Sequence, residues 1–214
     1  MARPEPAPDR ESLREEEFQY WDGVVEREGN RGQLEPDGKI GGYYGALLNA
    51  PGLCFHINAM GRIVRNVGNH PGSYSHADRE WVDQVLSIDW KSNTVLAPHI
   101  PDALAVGVRL DAIISLREGR EHELTADEQL LTEYVRGVRD GTVTADLHER
   151  MVARMGVRGT TEFAAFIMFL VLTIRLIEAT TGATGPSDEE IKKMLQDYKD
   201  GTTPIPTEIL IGAG

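Results

Sequence analysis

Six histidines, one cysteine and several carboxylates are the side chains of this 214-residue chain best suited to move protons, attack carbon or hold a metal. Cys54 is the whole thiol inventory, so a disulfide framework, a Cys-rich zinc module and any mechanism that needs two thiols in one chain are excluded. His70, His76, His122 and His148 are scattered, and no pair shows the H-x3-H or H-E-x-x-H spacing that brings two imidazoles onto one metal. No metal is expected from this spacing. Ser92 and His99 are seven residues apart, which on one helix leaves roughly 10 Å of rise between them. That is too far for a direct Ser–His bond, and no G-x-S-x-G elbow is present. Gly41-Gly42 and Gly182 to Gly185 lack the context of a phosphate-binding loop and read as turns.

The elements that must position these groups are helices. Ser12-x-x-Glu15, Thr125-x-x-Glu128 and Ser187-x-x-Glu190 have the form of capping boxes, with Ser75-x-x-Asp78 a weaker version, and Gly156 and Gly201 fall where helices would end. Between these marks apolar residues recur every three or four positions, as in Trp81, Val82, Val85 and Leu86. The pattern predicts helices near 12–28, 42–49, 52–66, 76–89, 91–106, 108–118, 126–139, 143–155, 160–181 and 187–200, an all-α chain. Pro98 and Pro101 should bend the fifth of these. Pro204 to Ile211 is the one segment with extended character, and its two prolines make it a poor central strand. The run Phe163 to Ile174 is apolar all round. With 12 residues it falls short of the ~20 needed to span a bilayer, so it is read as a helix central to the core or shared with another subunit.

The formal charge of −12 is unevenly spread. Residues 1–40 hold 11 acids and 6 bases, residues 182–214 hold 6 and 3, and the 141 residues between hold 17 and 13. An acidic chain is a poor phosphate-tracking surface, so nucleic acid is not an expected partner. The Pro-rich, charged start at Met1 to Asp9 lacks the apolar run of a secretory signal, which makes the cytoplasm the expected location, with no membrane partner. The expected organisation is an acidic N-terminal extension with one helix (1–40), a single functional domain (41–181) and a C-terminal extension (182–214).

The succession GGYYGALLNAPGLCFHINAMGRIVR, REWVDQVLSIDWKSNTVLAPHIPDALAVG and GVRGTTEFAAFIMFLVLTIRLIEATTG resembles the carboxymuconolactone decarboxylase and alkylhydroperoxidase D family. The likeness rests on Leu47, Leu48 and Pro51 of an LL-x-x-P turn, on Arg79-Glu80 opening a helix, on Trp90 and His99 downstream, and on Gly156, Arg158 and Gly159 of a G-x-R-G turn. It implies an alkylhydroperoxidase D-like helical bundle and a homo-oligomer, commonly a trimer or hexamer. The peroxidase branch uses Glu-x11-Cys-x2-Cys-x3-His. Counted from Glu80, the two thiol positions hold Ser92 and Val95, while the histidine position holds His99. A serine hydroxyl and a valine cannot carry disulfide or peroxide exchange, so this is not a thiol peroxidase.

Glu80 and His99 are the acid–base half of such a site. A histidine titrating at about 6.5 gives or takes a proton near neutral pH, and a carboxylate beside it fixes its tautomer. The resemblance thus implies a cysteine-independent, cofactor-independent lyase of aromatic catabolism, decarboxylating a small carboxylated lactone or oxo-acid. His99 would move the proton and Glu80 would orient it. Trp90, Ser92 and Asn93 at the turn between two helices are the expected substrate-binding residues, together with His56 and Arg62 on the helix after the LL-x-x-P turn. Arg62, and less so Arg65, would hold the substrate carboxylate by a bidentate pair. Two alternatives stand beside this: a hydrolase or hydratase on the same scaffold, and a member without thiols that only binds ligand or assembles.

Overall fold

Helix starts and stops follow from local hydrogen bonding in the computed structural model, which describes residues 7–30, 39–66 and 71–208. Among the described residues there are nine α-helices and no strand, so the chain is all-α. They are α1 (Phe18–Asn30), α2 (Gly42–Leu47), α3 (Pro51–Asn66), α4 (His76–Asp89), α5 (Asn93–Ala105), α6 (Leu110–Arg117), α7 (Ala126–Asp140), α8 (Ala145–Thr180) and α9 (Asp188–Lys199). Three reciprocal capping boxes form: Ser75 with Asp78, Thr125 with Glu128, and Ser187 with Glu190. Each side chain satisfies a backbone N–H of the first turn, a contribution of about 1 kcal/mol per cap.

Ser12-x-x-Glu15 is not a cap. The Ser12 hydroxyl donates to the Asp9 carbonyl, and the Arg14 N–H donates to the Glu17 carboxylate, which gives two single 3-10 turns, Arg10–Ser12 and Glu15–Glu17, ahead of α1. The helix therefore begins at Phe18 and not at residue 12. Residues 204–208 form no strand, and 209–211 of that segment lie outside the described residues, as does His70.

The chain divides into two compact units, 1–63 with 175–183 and 64–174 with 184–214. In the first unit, Cys54 is buried on α3, and Asn58 donates to the Glu28 carboxylate at 3.0 Å. In the second unit α4 packs against α5, α6 and α7, while α9 packs against α5 and α6. Around Tyr74 the Phe166 ring of α8 stacks at 5.6 Å and the Phe163 ring lies tilted at 5.3 Å between centroids, and the Trp81 indole donates to Thr132 of α7. By length and composition α8 is apolar enough to cross a membrane, with a mean hydropathy of 2.0 over 18 residues. Its Phe163, Phe166, Ile167, Phe169, Leu170 and Ile174 are buried within the fold, while 33% of that window as a whole is buried.

Two glycines shape α8. Gly156 takes φ 74°, a left-handed conformation that interrupts the helix where the sequence placed an end. Gly159 lies so close to the preceding loop that an added Cβ would sit 2.9 Å from the Gly72 carbonyl oxygen and 3.1 Å from the Ser73 Cα, both backbone atoms. Gly159→Ala is expected to cost about 1–3 kcal/mol by overpacking. Gly156→Ala should cost about 1–2 kcal/mol through its backbone. Urea unfolding measures both; midpoints equal to wild type would contradict this close approach and this turn.

Candidate active site

Helix α4 carries Glu80, Asp83, Gln84 and Ser87 at intervals of three and four, hence on one face. Such a polar stripe ordinarily faces water, yet all four residues are buried. The stripe meets α5, the partner against which α4 packs most. Gln84 donates to the His99 main-chain carbonyl at 3.1 Å, which ties the two helices together one turn beyond Glu80. α5 runs on through Pro98 and Pro101, on either side of His99.

His99 Nδ1 lies 2.9 Å from Glu80 Oε2 and 3.8 Å from Asp83 Oδ2. The sequence therefore placed the Glu80–His99 pair within reach of each other, and the fold adds Asp83. Neither oxygen of the buried Asp83 carboxylate has a hydrogen-bond partner. Arg79, itself buried, donates to Glu80 Oε1 at 3.3 Å and to the Arg65 carbonyl at 3.0 Å. Arg79 Nε and Arg65 Nη1 are buried nitrogens without a hydrogen-bond partner.

These neighbours set the proton affinities. Burial pushes the Glu80 carboxyl up, but its hydrogen bond with His99 and the charges of His99, Arg79 and Arg65 outweigh this and hold it below its ordinary range. Burial pulls His99 down, but the Asp83 charge and the bond and charge of Glu80 outweigh it, so His99 is raised. For Asp83 burial wins over His99 and the two arginines, and its carboxyl is raised. His99 and Glu80 thus share a buried hydrogen bond, and Asp83 stands beside them as a second buried carboxyl group. The donor atoms of Glu80, Asp83 and His99 lie within 4.8 Å of one another, so these three could also hold a metal ion.

The other expected site residues are distributed differently. Trp90 caps the C-terminus of α4 and is half-buried, with the Arg139 guanidinium 5.8 Å from its ring centroid. Ser92 is buried at the N-terminus of α5 and makes no side-chain cap bond. Asn93 donates to the Pro186 carbonyl and to Asp188, so its amide fastens the start of α9. His56 and Arg62 are exposed on the part of α3 that belongs to the first unit, with His56 5.8 Å from the Tyr20 ring. Cys54, also in that unit, has its thiol pushed up to about 12 by burial and by Glu28, which keeps it protonated at neutral pH.

The turn from α4 to α5 is a Schellman motif. Ser92 N–H donates to the Ser87 carbonyl and Lys91 N–H to that of Ile88, and Lys91 occupies the left-handed position at φ 55°. Glycine is usual there, and an L-residue costs about 1 kcal/mol. No family model, curated protein or solved structure matches the chain.

The shifts dictate a pH dependence of stability. A His99 value raised above 6.5 gives stabilisation that is complete below about pH 6.5 and is lost as pH rises through the folded value. Asp83, raised above 3.8, has the same sign. Glu80, lowered from 4.5, contributes fully above about pH 4.5 and loses its contribution as pH falls through the folded value. The Glu80–His99 pair thus stabilises most between pH 4.5 and 6.5. Urea midpoints at mildly acid and mildly alkaline pH should fall further with pH in the wild type than in His99→Gln. An equal fall in both proteins would contradict the pairing.

Proposed function

We propose that this chain is a cofactor-independent acid–base enzyme, a lyase that decarboxylates a small carboxylated lactone or oxo-acid on an alkylhydroperoxidase D-like scaffold. The observation that carries the reading is the 2.9 Å contact between His99 Nδ1 and the fully buried Glu80 carboxylate. With Nδ1 engaged by Glu80, Nε2 is the nitrogen left to face a substrate. About 9% of the His99 side chain stays accessible, while Glu80 and Asp83 have no exposed surface. His99 is the member of the group through which a proton can leave.

In the proposed step the bond between carbon and the substrate carboxylate breaks. Its electron pair passes into the conjugated carbonyl, and the His99 imidazolium delivers a proton to carbon as CO2 departs. Glu80 stabilises the imidazolium and holds its tautomer, and the neutral imidazole left after the transfer is recharged by a proton from water. Arg65 suits the role of carboxylate clamp better than Arg62, because its charge acts on Glu80, Asp83 and His99 and its Nη1 is buried without a partner. The absence of cysteine at Ser92 and Val95, with the only thiol buried and protonated, supports a reaction that uses no sulfur.

The enzyme is proposed to act as a homo-oligomer, a trimer or hexamer. The exposed Val157, Met168 and Leu172 of α8, at 68%, 46% and 40%, are apolar surface that assembly would cover.

A panel of carboxylated lactones and oxo-acids tests the reading. Released CO2 is the expected product, and a mass gain of one water would instead mark a hydrolase or hydratase. His99→Gln should lower kcat/KM by about 10²–10⁴-fold with the fold retained. Full activity in that variant, or no turnover of any compound by the wild type, would sink the proposal.

A further inference from the structure

A cleft of about 430 Å³ opens in the second unit among the end of α4, α6 and α9, lined by Ile88, Lys91, Ile114, Arg117, Lys192 and Leu195 among others. Its volume lies in the range of small-molecule sites. Ile88, Ile114 and the buried Leu195 offer an apolar wall, and charged groups stand around it. Most of those charges are already matched. Arg117 pairs with Asp188 at 2.8 Å, Lys192 with Glu189 at 2.9 Å, and Glu118 with Arg120. Asp188 is further held by Asn93, and the Gln196 amide donates to Asp200. Lys91 is the lining cation for which no ion pair is found among the described residues, so the cleft carries one uncompensated positive charge beside an apolar wall.

Lys91 also sits at the left-handed position of the Schellman turn, where glycine would relieve strain. Strain held by a side chain that lines a cleft is the mark of a residue kept for its side chain and not for the backbone. We propose that this cleft binds a small organic carboxylate with an apolar body, the anionic group on Lys91 and the body against Ile88, Ile114 and Leu195. The site is separate from the Glu80–His99 pair, and its occupancy does not depend on the reaction proposed for that pair.

Octanoate and octanol, which share an apolar body and differ in charge, are the probes. Titrated into the full chain and followed by amide chemical shifts, octanoate is expected to move Ile88, Ile114 and Leu195, and to bind at least tenfold more tightly than octanol. Lys91→Met should weaken octanoate at least tenfold. Lys91→Gly should weaken it equally while raising the Tm by about 2–4 °C, because the strain is removed. The proposal is overturned if millimolar octanoate leaves these amides unmoved, if octanol binds as well, if Lys91→Met retains wild-type affinity, or if Lys91→Gly lowers the Tm.

Discussion

A hydrogen bond between an imidazole and a carboxylate, closed off from water between two helices, governs the second unit of this protein. His99 and Glu80 are both buried, and neither would tolerate that position alone. The charge of each favours the other, and the buried Arg79 donates a hydrogen bond to the other oxygen of Glu80. Everything that keeps α4 and α5 in register serves this bond. Gln84 grips the backbone at His99, the Schellman turn at Lys91 sets the angle between the helices, and the Trp81 indole secures the opposite side of α4 to Thr132.

Such an arrangement carries a stability cost that core packing must offset. Buried polar atoms without partners, as on Asp83 and on the Arg79 Nε, cost about 1–3 kcal/mol each. The compensation is the aromatic cluster of Tyr74, Tyr134, Phe163 and Phe166. That cluster forms because α8 bends at Gly156 and then passes close to the backbone at Gly72 and Ser73. A protein selected for stability alone would fill the α4 face with Leu and Val. Retaining Glu80, Asp83, Gln84 and Ser87 there is the physical reason to look for chemistry at this point.

Much of the helical framework was legible in the sequence because its signals are local. The Ser75 cap and the change of composition at Trp90 bracket α4 at His76–Asp89, the range that periodicity predicts, and Gly156 marks the break in α8. Ser12 misled because its hydroxyl turned back to Asp9, and a cap motif carries no information about that competition. Asp83 was not legible. A stripe of Glu80, Asp83, Gln84 and Ser87 at helical spacing is identical in form whether it faces solvent or another helix, and only tertiary packing decides. With Trp81, Val82, Val85 and Leu86 gathered on the other face, α4 reads in sequence as an ordinary amphipathic helix with its polar side in water. Asn93 was legible as a polar turn residue, but its bonds to Pro186 and Asp188 span more than ninety positions of chain and are invisible to spacing.

The central claim is that Glu80 holds the proton of His99 on Nδ1 and favours the charged ring. A pH titration of the His99 ring nitrogens by 15N NMR, in the wild type and in Glu80→Gln, measures this directly. Neutral His99 is expected to carry its proton on Nδ1 and to titrate above its ordinary 6.5, and Glu80→Gln is expected to bring the value down. A neutral ring protonated on Nε2, or a titration at or below 6.5 that Glu80→Gln leaves unchanged, would contradict it.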